Sequence, residues 1–102
     1  MKTRSIEQFD VYRLREGEVV VVLQHSTFAE FNTRVVAPLI PLSRGKLTTS
    51  LNPVLRHSRR DLVLATHLLS VVPMSAFSTH LGSLAKQEYA IKRALDELFY
   101  GF

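Results

Sequence analysis

A run of five apolar residues, Val19–Leu23, constrains the fold of this chain more than any other segment. Four of the five residues are valine, and β-branched side chains favour an extended backbone. A strand that is apolar at every position has to be covered on both of its faces. In a chain of 102 residues the core covers one face, and we expect a second subunit to cover the other.

Further short strands are predicted on both sides of this run. Residues of Phe9–Leu14 alternate between two faces, and the turn Arg15–Glu18 joins this strand to the valine run as a hairpin. The strand that contains Pro38 and Pro41 is predicted to lie at an edge or to bend, because proline cannot donate to a strand ladder. The later strands are predicted at Thr33–Leu42, Leu51–His57, Asp61–His67 and Leu68–Val72.

Three segments between these strands are predicted to be irregular. Ser26–Asn32 is a loop in which Phe28 and Phe31 are interpreted as buried hydrophobic plugs. Ser43–Ser50 is a polar, basic connection, and Met74–Gly82 shows no regular pattern after the strand that Pro73 ends.

Helical periodicity is confined to the C-terminal segment. The sequence predicts a helix at about 84–100, with Ser83 as its N-cap and with the favourable pairs Glu88–Lys92 and Arg93–Glu97 on its surface. Leu98 is assigned to the core face, and Phe99 is expected to pack near it. The residues predicted for the core face are Leu84, Ile91, Ala94, Leu95, Leu98 and Phe102.

Five to six short strands followed by one helix predict a mainly β fold, a small β-barrel with the helix laid against it. The length fits a single domain over residues 1–102, in which Met1–Glu7 is a loose N-terminal arm. The chain has no cysteine, no apolar run long enough to span a membrane and no signal-peptide pattern, so we predict a cytoplasmic protein.

The formal net charge of +4 implies an acidic partner, which could be a nucleic acid, an acidic protein tail or a lipid head group. The excess positive charge is concentrated at Arg44–Lys46 and Arg56–Arg60. No metal site or cofactor is predicted, because the histidines lack the spacing of metal ligands and no phosphate-binding glycine loop is present. The histidines are His25, His57, His67 and His80.

One cluster could carry catalytic chemistry. His57 and Asp61 flank the basic turn and could act as a base on RNA, with neighbouring arginines on the phosphate. The arginines are Arg56, Arg59 and Arg60. The tips of hairpins are commonly charged, and we therefore favour a solvated turn over an active site at this position.

Several segments, in order, resemble the CcdB family. They are Gln8–Tyr12, Val36–Leu39, Leu51–Val54, and Thr66-His67 followed by Val72-Pro73. The tail matches best, because an Ile-Lys-x-Ala helix beginning at Ile91 leads to Phe99-Tyr100-Gly101-Phe102. The resemblance covers nearly the whole chain apart from Met1–Glu7.

The resemblance implies an SH3-like β-barrel with a C-terminal helix, a fold shared with the MazF/Kid ribonuclease toxins. It implies the toxin of a type II toxin–antitoxin module, which forms a homodimer and is neutralised by a CcdA-like antitoxin. Such a toxin inserts between the two A subunits of DNA gyrase and traps the enzyme on cleaved DNA. It is not itself an enzyme, and it meets DNA only through gyrase or the antitoxin complex.

The resemblance also implies which residues contact gyrase. The central contacts fall on Tyr100, Gly101 and Phe102, with the aromatic ring stacked on a gyrase arginine. Further contacts fall on Asp96, on Thr27 and on Phe28. The family's best-known members carry Trp, Ile and an amide in place of Tyr100, Phe102 and Asp96, so weaker stacking is expected here.

Two other readings of the sequence remain open at this stage. One is an RNA-cleaving toxin of the MazF/Kid type on the same fold, acting through His57, Asp61 and the adjacent arginines. The other is a DNA-binding or structural partner that acts through its basic loops.

Overall fold

The computed structural model describes residues 5–42 and 49–102. The basic cluster Arg44–Lys46 and most of the predicted connection Ser43–Ser50 lie outside the described residues, as do residues 1–4 of the predicted arm. Ile6 is buried, so the end of that arm packs on the domain rather than lying loose.

Seven strands and one α-helix make up the described part of the chain. The strands curl into an antiparallel half-barrel in the order β4-β5-β3-β2-β1-β7, with β6 paired to β3. The mainly β fold with a C-terminal helix predicted from the sequence is confirmed. The elements are β1 (Asp10–Leu14), β2 (Val19–Val22), β3 (Thr33–Pro41), β4 (Val54–His57), β5 (Arg60–Leu64), β6 (Ser70–Pro73), β7 (Phe77–Ser83) and α1 (Glu88–Tyr100).

The valine run forms β2, and both of its faces are buried within a single chain. Val21 and Leu23 point into the interior of the half-barrel, where they pack with Val11, Ala37 and the leucines of β3–β5. Val20 and Val22 point to the opposite face, where a second cluster formed around Tyr12 covers them. Each buried valine contributes about 1.5–3 kcal/mol relative to an exposed one. The expectation that a second subunit covers this strand is therefore wrong.

The strand that contains the prolines is central rather than at an edge. One side of β3 pairs with β2, while its other side pairs with β6 over Thr33–Val36 and with β5 over Leu39–Pro41. Pro38 lies where the partner changes from β6 to β5, and its carbonyl accepts from the Ala65 N–H at 2.9 Å. The missing N–H of proline is tolerated because it falls in the gap between two partner strands.

The segment predicted to be irregular contains β7, which is the longest partner of β1. Phe77–Ser83 pairs antiparallel with Asp10–Leu14, with two register shifts along the ladder. Its side chains are mostly polar and half-exposed, so they carry no clear alternation. Backbone hydrogen bonds to β1 stabilise this strand, and only the partly buried Phe77 and Leu81 pack against the core clusters.

Two side chains bridge the seam between the edge strands β4 and β7. The His57 Nε2 atom lies 3.0 Å from the Leu81 carbonyl oxygen, and Gly82 leaves room for the ring because a Cβ there would lie 3.1 Å from Nε2. On β4, the Arg56 N–H donates to the Gln87 side-chain oxygen at 2.9 Å, and the Gln87 amide donates back to the Arg56 carbonyl at 2.7 Å. Gln87 therefore satisfies the edge of β4 as a neighbouring strand would.

The α-helix begins at Glu88, four residues later than the sequence predicts. Ser83 is the last residue of β7, and its hydroxyl accepts from the Ala85 N–H at 3.1 Å to start a 3-10 turn rather than the helix. Ile91 and Ala94 are buried against the half-barrel. The predicted Glu88–Lys92 pair forms at 2.8 Å, whereas Glu97 accepts a hydrogen bond from Ser50 instead of pairing with Arg93.

Candidate functional site

The chain ends in a group of exposed aromatic side chains. Tyr100 and Phe102 are 71% and 86% exposed, and Phe99 beside them is also mostly exposed. Two predictions are therefore wrong, namely that Phe99 packs near Leu98 and that Phe102 lies on the core face. The helix places Phe99 beyond the reach of the half-barrel, because its buried stripe ends around Ala94 and the partly buried Leu98.

Gly101 fixes the direction in which the last residue leaves the helix. Its φ of 84° is left-handed, and its N–H donates to the Glu97 carbonyl at 2.9 Å, so it forms the C-cap of α1. A Cβ at this position would meet no atom within 4 Å. The backbone conformation, rather than crowding within the chain, therefore requires glycine here.

Asp96 lies one helical turn before Tyr100, on the same exposed side of α1. Its carboxylate is exposed, so it gives a negative charge to the surface that carries the aromatic tail. This arrangement brings Asp96, Tyr100 and the tail residues together on one end of a rigid helix.

Thr27 and Phe28 lie in a separate place, on the 3-10 turn Ser26–Phe28 that follows β2. The rings of Phe28 and Phe31 stack nearly parallel, with centroids 6.0 Å apart and both rings about half exposed. The interpretation of these phenylalanines as buried plugs is wrong. Within residues 5–42 and 49–102, no hydrogen bond, ion pair or ring contact joins this turn to Asp96 or to the tail.

A buried arginine that the sequence analysis did not single out holds this aromatic loop. The Arg34 guanidinium, 3% exposed, donates to the carbonyls of Ala29, Phe31 and Thr33 at 2.7–3.0 Å. A buried charge is costly unless it is hydrogen-bonded, and these three carbonyls supply the acceptors. Arg34 therefore fixes the backbone that presents Phe28 and Phe31.

A second group that sequence reasoning missed joins β1 to β7. Asp10 is buried, with one carboxylate oxygen accepting from the Glu7 N–H at 3.0 Å and the other 3.6 Å from His80 Nε2. The His80 ring packs edge-on against Tyr12 at 5.0 Å. The alternating pattern that predicted β1 could have flagged Asp10, since it places a carboxylate among buried residues.

The residues of the RNA-cleaving hypothesis do not assemble into one site. His57 and Arg60 are cross-strand partners at the end of the β4–β5 hairpin, while Arg56 pairs with Asp61 at the adjacent position. Successive positions of a strand point to opposite faces. His57 therefore faces the interior of the half-barrel, and Asp61 faces outward in an exposed ion pair of 3.1 Å with Arg56.

One family model and several solved structures match this chain. The profile of the CcdB protein family matches residues 8–101, which is nearly the whole chain. The chain belongs to the CcdB family. This membership supports a toxin of a toxin–antitoxin system. The matched residues include the tail as far as Gly101. Comparison with curated protein sequences gave no significant match.

Solved structures similar to this CcdB-family chain include two endoribonucleases and a toxin. An endoribonuclease from a mycobacterial species has a TM-score of 0.80 at 12% identity, with 97% of this chain and 95% of that one covered. An endoribonuclease in complex with its cognate antitoxin, also from a mycobacterial species, has a TM-score of 0.78 at 13% identity, covering 91% and 93%. An Mtb toxin has a TM-score of 0.72 at 18% identity, covering 87% and 99%. At these identities the likeness establishes the shared fold alone.

Among residues 5–42 and 49–102, no helix is long and apolar enough to cross a bilayer. The same residues contain no group of three or more histidine, aspartate or glutamate side chains placed to hold a metal ion.

Proposed function

We propose that this protein is a toxin that binds the DNA gyrase A subunit as a homodimer, traps the gyrase–DNA cleavage complex and is neutralised by an antitoxin. The observation that carries the proposal is the exposed tail on α1, in a chain that belongs to the CcdB family. Tyr100, Gly101 and Phe102 form the proposed gyrase contact, with Asp96 beside them.

The tail has the physical properties of a binding anchor. Aromatic rings bring a large contact area with few rotatable bonds, and such residues dominate the energetics of many interfaces. A guanidinium stacked on the Tyr100 ring would contribute about 0.5–2 kcal/mol, depending on how completely water is excluded. Gly101 then sets the angle between this ring and Phe102, because its left-handed conformation turns the chain away from the helix axis.

Thr27, Phe28 and the adjacent Phe31 form a second proposed contact. The two stacked rings present an apolar surface that water solvates poorly, and Arg34 holds them in place before any partner arrives. Preorganisation of this kind lowers the entropy cost of binding.

The homodimer is supported by apolar surface elsewhere on the chain. Val71 on β6 and Leu68 in the preceding 3-10 turn are both more than half exposed, and this turn contacts α1. Contiguous exposed apolar surface marks protein interfaces, and we propose that Leu68 and Val71 belong to one. A twofold dimer would carry two tails, one for each gyrase A subunit.

A substitution in the tail tests the proposal without altering the core. Tyr100→Ala should weaken binding to the purified gyrase A subunit by about tenfold or more, which corresponds to about 1.4 kcal/mol. Tyr89→Ala is the matched control, because Tyr89 is an equally exposed tyrosine at the other end of α1. Isothermal titration with each variant measures the effect, and equal affinities for the two variants would contradict the proposed contact.

The alternative, an RNA-cleaving toxin, has support only from the shared fold. Its two candidate bases, His57 and Asp61, face opposite sides of the β4–β5 hairpin. Incubation of the protein with total bacterial RNA tests it, with His57→Ala and Arg59→Ala as controls. Cleavage that both substitutions abolish would favour this alternative over gyrase binding.

A further inference from the structure

The interior of the half-barrel opens at one end into a groove whose rim is basic. Four strands reach this end with their last inward-facing residues, which are Arg13 of β1, Pro41 of β3, His57 of β4 and Arg60 of β5. We call this groove the mouth. It encloses about 290 Å³.

The floor of the mouth is aliphatic. Val19, Leu39, Leu62 and Leu81 line it, and Leu39 and Leu62 belong to the buried core beneath. An opening at the end of a β-barrel, with an apolar floor and a few convergent polar groups, is a common form of ligand site.

Among residues 5–42 and 49–102, no ion pair neutralises the positive charge of the mouth. Arg13 and Arg60 form no ion pair or side-chain hydrogen bond with any residue in 5–42 or 49–102. None of the nine acidic residues of the sequence lines the mouth. The acidic residue of the β4–β5 hairpin, Asp61, lies on the opposite face, where it pairs with Arg56. Because side chains alternate along the strands, the Arg56–Asp61 pair neutralises the outer face of the hairpin, and Arg60 leaves the inner face cationic.

His57 is fixed at the rim. Its Nε2 atom lies 3.0 Å from the Leu81 carbonyl oxygen, which can only accept, so Nε2 carries the proton and donates. The imidazole is the only aromatic ring among the described residues that line the mouth. Stacking platforms for bases are usually built from several aromatic rings. An aliphatic floor with one imidazole at the rim therefore fits a peptide side chain better than a nucleobase.

We propose that the mouth binds a peptide segment that combines carboxylates with an aliphatic side chain, as part of the antitoxin. Arg13 and Arg60 bind the carboxylates, and the aliphatic side chain enters between Leu39 and Leu62. This inference rests on the proposed function in naming an antitoxin as the partner. The mouth is formed by strands, whereas the proposed gyrase contact lies at the end of α1. The antitoxin segment would therefore bind at a different place on the protein from gyrase.

The test measures binding to the full chain by fluorescence anisotropy. The probe is a short fluorescein-labelled peptide of alternating glutamate and leucine. It is compared with glutamate–serine and glutamine–leucine peptides of the same length and with a labelled oligouridylate. The glutamate–leucine peptide should bind at least about tenfold more tightly than each of the other three probes, because only it satisfies both the charge and the floor.

Matched double variants locate the site. Arg13→Gln with Arg60→Gln should weaken binding of the glutamate–leucine peptide about tenfold or more, whereas Arg15→Gln with Arg56→Gln, which has the same net charge, should change it less than about twofold. Thermal melting of both variants checks that each is folded. Methyl NMR shifts of Leu39 and Leu62, with Val71 as an outside reference, identify the floor directly.

Several results would overturn the inference. They are no binding of the glutamate–leucine peptide, equal binding by the two double variants, shifts confined to residues outside the mouth, and tighter binding of the oligouridylate. The last result would assign the mouth to RNA instead. No gyrase is present in this assay, so the two proposals are tested separately. A protein that does not bind the peptide can still bind gyrase, and a protein that does not bind gyrase can still bind the peptide.

Discussion

Arg34 concentrates much of the local stability of the aromatic loop in one side chain. Arg34→Met would leave three carbonyl acceptors, on Ala29, Phe31 and Thr33, without their donor. Hydrogen bonds from a charged donor each contribute about 1.5–3 kcal/mol, and part of this is offset by relief of the buried charge. We expect a loss of about 2–3 kcal/mol in the free energy of unfolding, measured by urea denaturation.

Arg15→Met is the control for this substitution, because the exposed Arg15 donates to a single carbonyl, that of Ser75. Its loss should cost less than about 1 kcal/mol. If both variants unfold at the same urea concentration, Arg34 does not hold the loop.

The predictions that Phe28, Phe31 and Phe99 pack in the interior fail for one physical reason. Large apolar side chains are usually buried, and the sequence shows nothing that would keep these three at the surface. What keeps Phe28 and Phe31 at the surface is the set of carbonyls gathered around Arg34, and only the folded loop brings those together. The exposure of Tyr100 follows from the resemblance to CcdB and not from helical periodicity.

At the scale of elements, the seam between β4 and β7 depends on side chains in place of a strand ladder. Gln87→Ala removes both hydrogen bonds to the backbone of Arg56, which lie at the surface. We expect the free energy of unfolding to fall by about 1–2 kcal/mol, since each typical hydrogen bond contributes about 0.5–1.5 kcal/mol. Hydrogen exchange at the Arg56 amide should accelerate, because its acceptor is lost.

Lys86→Ala provides the neighbouring control, because Lys86 is exposed in the same 3-10 turn and forms no hydrogen bond or ion pair with residues 5–42 or 49–102. In the Lys86→Ala variant, the Arg56 amide should exchange at the wild-type rate. Equal exchange rates in the two variants would mean that Gln87 does not protect the edge of β4.

The contrast between β2 and β7 explains which elements the sequence could predict. Val19–Val22 is a strand because its β-branched side chains are buried on both faces, and this property is visible in the residues themselves. Phe77–Ser83 is a strand because β1 offers an edge to pair with, and that edge exists only in the fold. The start of α1 was predicted too early for a similar reason, since pairing with β1 holds Ser83 in the strand.

For the whole molecule, the structure separates a rigid half-barrel from three presented surfaces. They are the tail on α1, the aromatic loop that contains Phe28 and Phe31, and the mouth bordered by Arg13 and Arg60. The overall fold and the exposure of Tyr100 could be predicted from the sequence, whereas periodicity wrongly placed Phe102 on the core face. The mouth could not, because its four rim residues come from four strands and converge only through their shared register.

We propose that two such tails, one on each subunit, trap gyrase on cleaved DNA. The most direct measurement incubates purified gyrase and supercoiled plasmid with the protein and counts linear DNA after the gyrase is denatured and digested. The wild-type chain should produce linear DNA, and a chain that lacks Tyr100, Gly101 and Phe102 should produce none while melting at the same temperature. Absence of linear DNA with the wild-type chain, or equal amounts with the shortened one, would contradict the claim.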